Sequence, residues 1–119
     1  MKKKILVVDD DESVLDWLQA KLGARYDLVS TAAADEVMRL AHKATPDLIL
    51  CDIDMPGLDG GDLSALLYGD DRTRYIPLLF LSALVPTNDS KRGEVGGRPA
   101  ISKSAPVEDL IARIESLLA

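Results

Sequence analysis

The sequence predicts an α/β fold in which five parallel strands alternate with helices that cover both faces of the sheet. Three observations predict it. Short apolar segments alternate with segments of helical periodicity along the whole chain. The apolar segments are runs rather than polar–apolar alternations, the pattern of strands buried on both faces. Strands joined through helices pair in parallel by right-handed crossovers, which places a helix layer on each side.

Ile5-Leu6-Val7-Val8 is the first predicted strand, and it runs into Asp9-Asp10-Asp11-Glu12. Val14, Leu15, Leu18 and Leu22 then recur at helical spacing until Gly23. Asp11 and Glu12 suit the positive end of that helix, and Trp17 is expected to pack. Tyr26 to Thr31 forms a second strand. A second helix from about Ala33 to Ala44 turns Ala34, Val37, Met38 and Ala41 inward, with His42 exposed near its end. Pro46 ends it, and the run from Asp47 to Asp52 is the central strand, followed by a turn at Pro56-Gly57. Gly61 to about Tyr68 reads as a third helix with Leu63, Leu66 and Leu67 buried. Asp70 to Tyr75 is a polar loop, and Ile76 to Leu81 is a fourth strand ending at Ser82-Ala83. Leu84 to Pro99 carries Pro86, Gly93, Gly96 and Gly97, with Val95 its only aliphatic residue between Pro86 and Pro99. A helix there would bury almost nothing, so a short or irregular segment is expected. Ala100-Ile101-Ser102 makes a fifth strand ending at Lys103. Val107, Leu110, Ile111, Ile114, Leu117 and Leu118 form the stripe of the last helix, with Pro106 in its first turn.

A chain of 119 residues suits one domain, 1–119, and its 47% hydrophobic and 29% charged residues suit a globular core. The formal net charge of -6 would repel a nucleic-acid backbone. Ile5 to Val8, cut off by four acids, is too short for a signal peptide or a membrane span. A cytoplasmic location is expected, without membrane binding. The lone Cys51 lies inside the apolar central strand, where core packing is its expected role.

In an open parallel sheet, ligands bind beyond the carboxyl ends of the strands. That edge collects Asp9 and Asp10, Asp52, Ser82 and Lys103. Converging carboxylates need a cation or a raised pKa. Oxygen ligands without histidine or cysteine favour Mg²⁺. A hydroxyl and a lysine facing the acids would donate to phosphate oxygens, and Asp52 would be the nucleophile of an aspartyl phosphate.

With Asp9-Asp10 after the first strand, Asp52 within Asp-Ile-Asp-Met-Pro-Gly, Ser82-Ala83 after the fourth strand and Lys103 after the fifth, the chain resembles the receiver domain of two-component response regulators from Lys3 to Leu118. The resemblance implies a flavodoxin-like (βα)5 three-layer sandwich with strand order 2-1-3-4-5. It further implies a phosphorelay protein rather than an enzyme. Asp52 would accept phosphate from a sensor histidine kinase or phosphotransfer protein. Asp10 and Asp52 would hold Mg²⁺ directly, Asp9 through water and Asp54 by its backbone carbonyl. Ser82 and Lys103 would hold the phosphoryl oxygens, and the output would be a downstream protein or a weak homodimer.

Three features depart from the family pattern. Ser104 stands where proline usually follows the lysine, Ala100 stands where an aromatic residue usually lies, and the region of the fourth helix is glycine-rich. The Lys103–Ser104 bond is expected to be trans, with a shifted loop around it. Because Ala100 has no ring to turn inward, any switch is expected to work by ordering Thr87 to Gly97. Two other readings compete. One is a pseudo-receiver that binds partners without being phosphorylated. The other is a haloacid-dehalogenase-type phosphatase, whose Asp-x-Asp motif Asp52-Ile53-Asp54 resembles, although that family places its acidic pair last.

Overall fold

The computed structural model describes residues 2–57, 59–83, 94–95 and 98–119. β1 (Lys4–Val8), β2 (Asp27–Thr31), β3 (Leu48–Asp52) and β4 (Leu78–Ser82) are joined by α1 (Glu12–Leu22), α2 (Val37–Ala44) and α3 (Gly60–Tyr68). A 3-10 turn at Ala34–Glu36 leads into α2. The short β5 (Glu94–Val95) precedes β6 (Arg98–Ser102), and α4 (Val107–Leu118) closes the chain. The sheet order is β2-β1-β3-β4-β6-β5, with every pairing parallel except β5 with β6. The five parallel strands therefore stand in the order 2-1-3-4-5, as expected, and an antiparallel strand is added at the edge. Pro99 is tolerated because β4 pairs only with Ala100, Ile101 and Ser102, so its missing N–H lies outside that ladder.

Strand alternation divides the core in two. Leu6, Val8, Ile49, Cys51, Leu78 and Phe80 point toward Val37 and Ala41 of α2 and Leu63 and Leu67 of α3. Ile5, Val7, Leu48, Leu50, Leu79 and Leu81 point toward Leu18 and Leu22 of α1 and Leu110 and Ile114 of α4. The three inner strands β1, β3 and β4 thus feed both layers, which is why their sequences are apolar runs, while the outer β2 and β6 are mixed.

Several expectations need correction. Leu66 is 58% exposed and Trp17 40% exposed, so neither is a core residue. His42 is half-buried, with its Nε2 2.6 Å from Asp70 Oδ2, across from the turn that precedes β4. Pro106 is the N-cap of α4, outside its first turn, with a ψ of 148° that helical residues do not adopt. Asp11 caps α1 by accepting from the Ser13 amide, as its helix-start position implied. The described residues contain no cis peptide bond, so the bond preceding Ser104 is trans. The expectation of an irregular fourth helix, and of switching through Thr87 to Gly97, falls outside the described residues apart from β5.

Candidate functional site

Backbone register brings the strand ends together. The ladder of β1 and β2 continues one residue past β1, with the Asp9 amide donating to Thr31 O at 3.2 Å. Asp9 is fully buried, and Asp10, the next residue along, is exposed. β3 ends on Asp52, which is 1% exposed and pairs with Leu81 of β4. Ser82 ends β4, buried and in register with Ser102 of β6. One residue on, the Lys103 amide donates to Ser82 O at 3.0 Å. Asp9, Asp10, Asp52, Ser82 and Lys103 therefore share one edge of the sheet, the edge at which the strands end.

Both buried acids are anchored by their own chain. Asp9 Oδ1 accepts the Asp11 amide at 2.9 Å, and Asp52 Oδ1 accepts the Asp54 amide at 2.9 Å. These are Asx turns, in which a side chain bonds the backbone two residues on. Lys103 Nζ lies between the two carboxylates, 3.1 Å from Asp52 Oδ1 and 3.4 Å from Asp9 Oδ2. The second contact is a charge contact only, because Asp9 Oδ2 is buried without a hydrogen-bond partner.

The electrostatics follow from this geometry. Burial raises the Asp9 pKa above its ordinary value, aided by the Asp52 charge and opposed by the Asp11 amide and Lys103. Burial pulls Lys103 down, but its hydrogen bond to Asp52 and the two negative charges outweigh this, and its pKa is raised. The Cys51 thiol is pushed up to about 12 by burial and then by Asp52 and Asp9. It stays protonated at neutral pH, in keeping with a packing role.

Asp9, Asp10 and Asp52 each present a carboxylate oxygen within 4.8 Å of the others. Three ionised carboxylates and one ammonium leave a net charge of -2, which a divalent cation would balance. The donors are all oxygen, and one of them, Asp9 Oδ2, is buried with no hydrogen bond. Hard cations such as Mg²⁺ take such ligands, so the residues fit that ion.

One contribution was not anticipated from the sequence. The Asp54 side chain accepts the Ala83 amide through Oδ2 at 3.1 Å. It thereby ties the turn after β3 to the end of β4 and fixes the segment that follows Asp52 beside Ser82. An acid two residues beyond a strand-ending acid hints at a turn, but its bond to a residue 29 positions away leaves no local signal.

On the other side of the sheet a cleft of about 330 Å³ adjoins Lys103. Val14, Trp17, Leu18, Leu81 and Leu110 form its apolar wall, which accounts for the half-exposed indole.

Known proteins resemble this chain in sequence and in fold. The family model for the response regulator receiver domain matches residues 5–115. Response regulator PleD of Caulobacter vibrioides is 40% identical over 121 residues, covering 98% of this chain and 26% of PleD. The polar-differentiation response regulator DivK of Brucella anthropi is 33% identical over 120 residues, covering 99% of this chain and 98% of DivK. The chain therefore spans about a quarter of one relative and nearly all of another. Among solved structures, the receiver domain of Francisella response regulator 1452 superposes with a TM-score of 0.81 at 28% identity, covering 98% of this chain and 97% of that one. The N-terminal domain of the nisin resistance regulator NsrR does so with a TM-score of 0.83 at 28% identity, with full coverage of both chains.

Proposed function

Because the chain belongs to the response regulator receiver domain family, we propose that it is a phosphoacceptor of a two-component system, with Asp52 as the acceptor. One observation carries this reading: a nearly fully buried carboxylate ends the central strand, 3.1 Å from a lysine and beside two further acids. Burial of that kind is costly for stability alone.

In this reading an Asp52 oxygen attacks the phosphorus of a phosphohistidine on a kinase or phosphotransfer protein. Asp52 Oδ1 is already held by the Asp54 amide and Lys103, so the attack is assigned to Oδ2. An O–P bond forms as the P–N bond breaks, and the bonding pair stays on the imidazole nitrogen. Lys103 and Ser82 donate to the oxygens of the transferred group, and Lys103 exchanges part of its contact with Asp52 for a contact with phosphate. Asp10 and Asp52, with Asp9 and the Asp54 carbonyl in support, would hold Mg²⁺, which when bound would neutralise charge on the phosphoryl oxygens. Asp54 and Asp11 keep the two acid-bearing turns in place throughout. The contacts this domain itself makes are with proteins, since its net charge of -6 is poorly suited to nucleic acid.

The test is phosphate incorporation from acetyl phosphate with Mg²⁺. Wild-type protein should be labelled with one acid-stable, base-labile phosphate, and Asp52→Asn should not. Labelling of a folded Asp52→Asn protein at the wild-type level would move the acceptor to another residue, Asp54 first. A folded wild type that takes no label would instead be a pseudo-receiver.

A further inference from the structure

The outer face of α2 and α3 carries a trough that the phosphoacceptor reading does not use. It consists of two adjoining hollows of about 260 Å³ and about 450 Å³, which share Asp62 and Leu66. Met38, Leu63, Leu66 and Ala65 supply apolar surface, and Asp35, Asp59 and Asp62 supply charge. Among the described residues no lysine, arginine or histidine lines it. Arg39, close by on α2, is held by Glu36.

Leu66 gives the trough its meaning. Its position in α3 reads as core, yet it is 58% exposed because Leu63 and Leu67 take the places facing the sheet. A single exposed leucine needs no explanation. An exposed leucine within a concave surface, beside a partly buried methionine and flanked by acids alone among the described charged residues, has the make-up of a groove for an amphipathic segment.

From this we infer that the α2–α3 trough docks a basic amphipathic helix of a partner protein, with one bulky apolar side chain against Leu66 and Met38 and with lysine or arginine facing Asp35 and Asp62. Charge decides between occupants. A second copy meeting this face isologously would bring its own three acids against the first set, and like charges across an interface oppose docking. Nucleic acid and anionic lipid are repelled for the same reason. A cationic helix gains from the three acids of the rim, and its apolar stripe covers Leu66.

The test uses a fluorescein-labelled peptide of leucine and lysine placed at helical spacing, followed by anisotropy. Saturable binding is expected, weakened about tenfold by Leu66→Ser and by Asp35→Lys with Asp62→Lys, each roughly 1.4 kcal/mol by the standard conversion. All three residues are exposed, so the variants should remain folded, Leu66→Ser with the wild-type unfolding curve and the charge reversals, which fall in first helical turns, with a slightly earlier one. Reversing two exposed acids elsewhere, Asp16→Lys with Asp71→Lys, should change the affinity by less than about twofold. Amide shifts caused by the peptide in the wild-type protein should cluster on α2 and α3. Equal losses from the two charge-reversed pairs, indifference to Leu66→Ser, or shifts that cluster on α1 and α4 would each overturn the inference.

Discussion

Asp9→Asn should make the metal-free protein more stable, although it removes one of the two partners of Lys103. Asp9 is fully buried and lies 3.4 Å from Lys103 Nζ. At an effective dielectric near 20, that attraction is about 5 kcal/mol. Against it, an oxygen of Asp9 lies within 4.8 Å of one from Asp52, and repulsion at that separation is about 3.5 kcal/mol. The exposed Asp10 adds a smaller, solvent-screened share. Removing a carboxylate from water costs several kcal/mol more. Asparagine keeps the shape and can still accept the Asp11 amide, at a loss of about 1 kcal/mol for the neutral acceptor. Relief of burial and repulsion should exceed what is lost by about 1–2 kcal/mol. The Lys103–Asp52 pair remains. Urea unfolding with a chelator present measures this. The pH dependence supplies a second check with a definite sign. The Asp9 pKa is raised on folding, so between its ordinary value and its raised one the folded state holds more proton than the unfolded state. Wild-type stability therefore falls as pH rises through that window, and the advantage of Asp9→Asn should be absent below it and complete above it. A variant less stable than wild type at neutral pH would mean that Lys103 fully compensates Asp9, and the reasoning would fail.

Four further outcomes are expected. Millimolar Mg²⁺ should raise the unfolding temperature, and Asp10→Ala should remove most of that rise. Asp59→Ala, which deletes the N-cap of α3, should cost about 1 kcal/mol while leaving the Mg²⁺ response intact; equal loss of the response in both variants would count against the acidic cluster as the ion's site. Cys51, fully buried and with its thiol held near 12, should be alkylated at neutral pH no faster than the protein unfolds, and rapid labelling of the native state would contradict its placement. Gly60→Ala should destabilise by about 1–3 kcal/mol in thermal melts, because an added Cβ would lie 2.9 Å from Ile53 Cδ1 and 3.2 Å from Phe80 Cζ, and a neutral result would show that Ile53 can move aside.

The strands were legible because two-sided burial leaves a pattern that needs no partner information. Ile5 to Val8 and Leu48 to Cys51 are apolar without interruption, and each residue is buried against one layer or the other. The helix faces were less legible. In α3 the consecutive residues Ala65, Leu66, Leu67 and Tyr68 are all apolar or aromatic, so periodicity cannot choose between Leu66 and Leu67; the way α3 sits on the sheet puts Leu67 in the core layer that also holds Phe80 and Ala41. Trp17 lies at the margin of the α1 stripe, where a large side chain covers a cleft without being enclosed. The pairing of His42 with Asp70 joins residues 28 positions apart and depends on where α2 ends over the turn before β4. Nothing local specifies it.

The acidic edge was legible for a different reason: its residues stand where stability alone would not put them. A fully buried Asp9 and an almost fully buried Asp52 share one lysine, and one oxygen of Asp9 is left without a hydrogen bond. An apolar residue at either position would continue the strand run at lower cost. Acids that end apolar strands therefore stand out in the sequence as local contradictions, and local contradictions mark functional sites more often than structural ones. The tether from Asp54 to Ala83 carries no such contradiction, since an exposed acid in a turn is ordinary, and the Asp11 and Asp54 amides that close the two Asx turns are backbone groups every residue has. Yet these bonds aim the carboxylates. The groups proposed to do the chemistry could be found from sequence because they are unfavourable, and the groups that position them could not because they are comfortable.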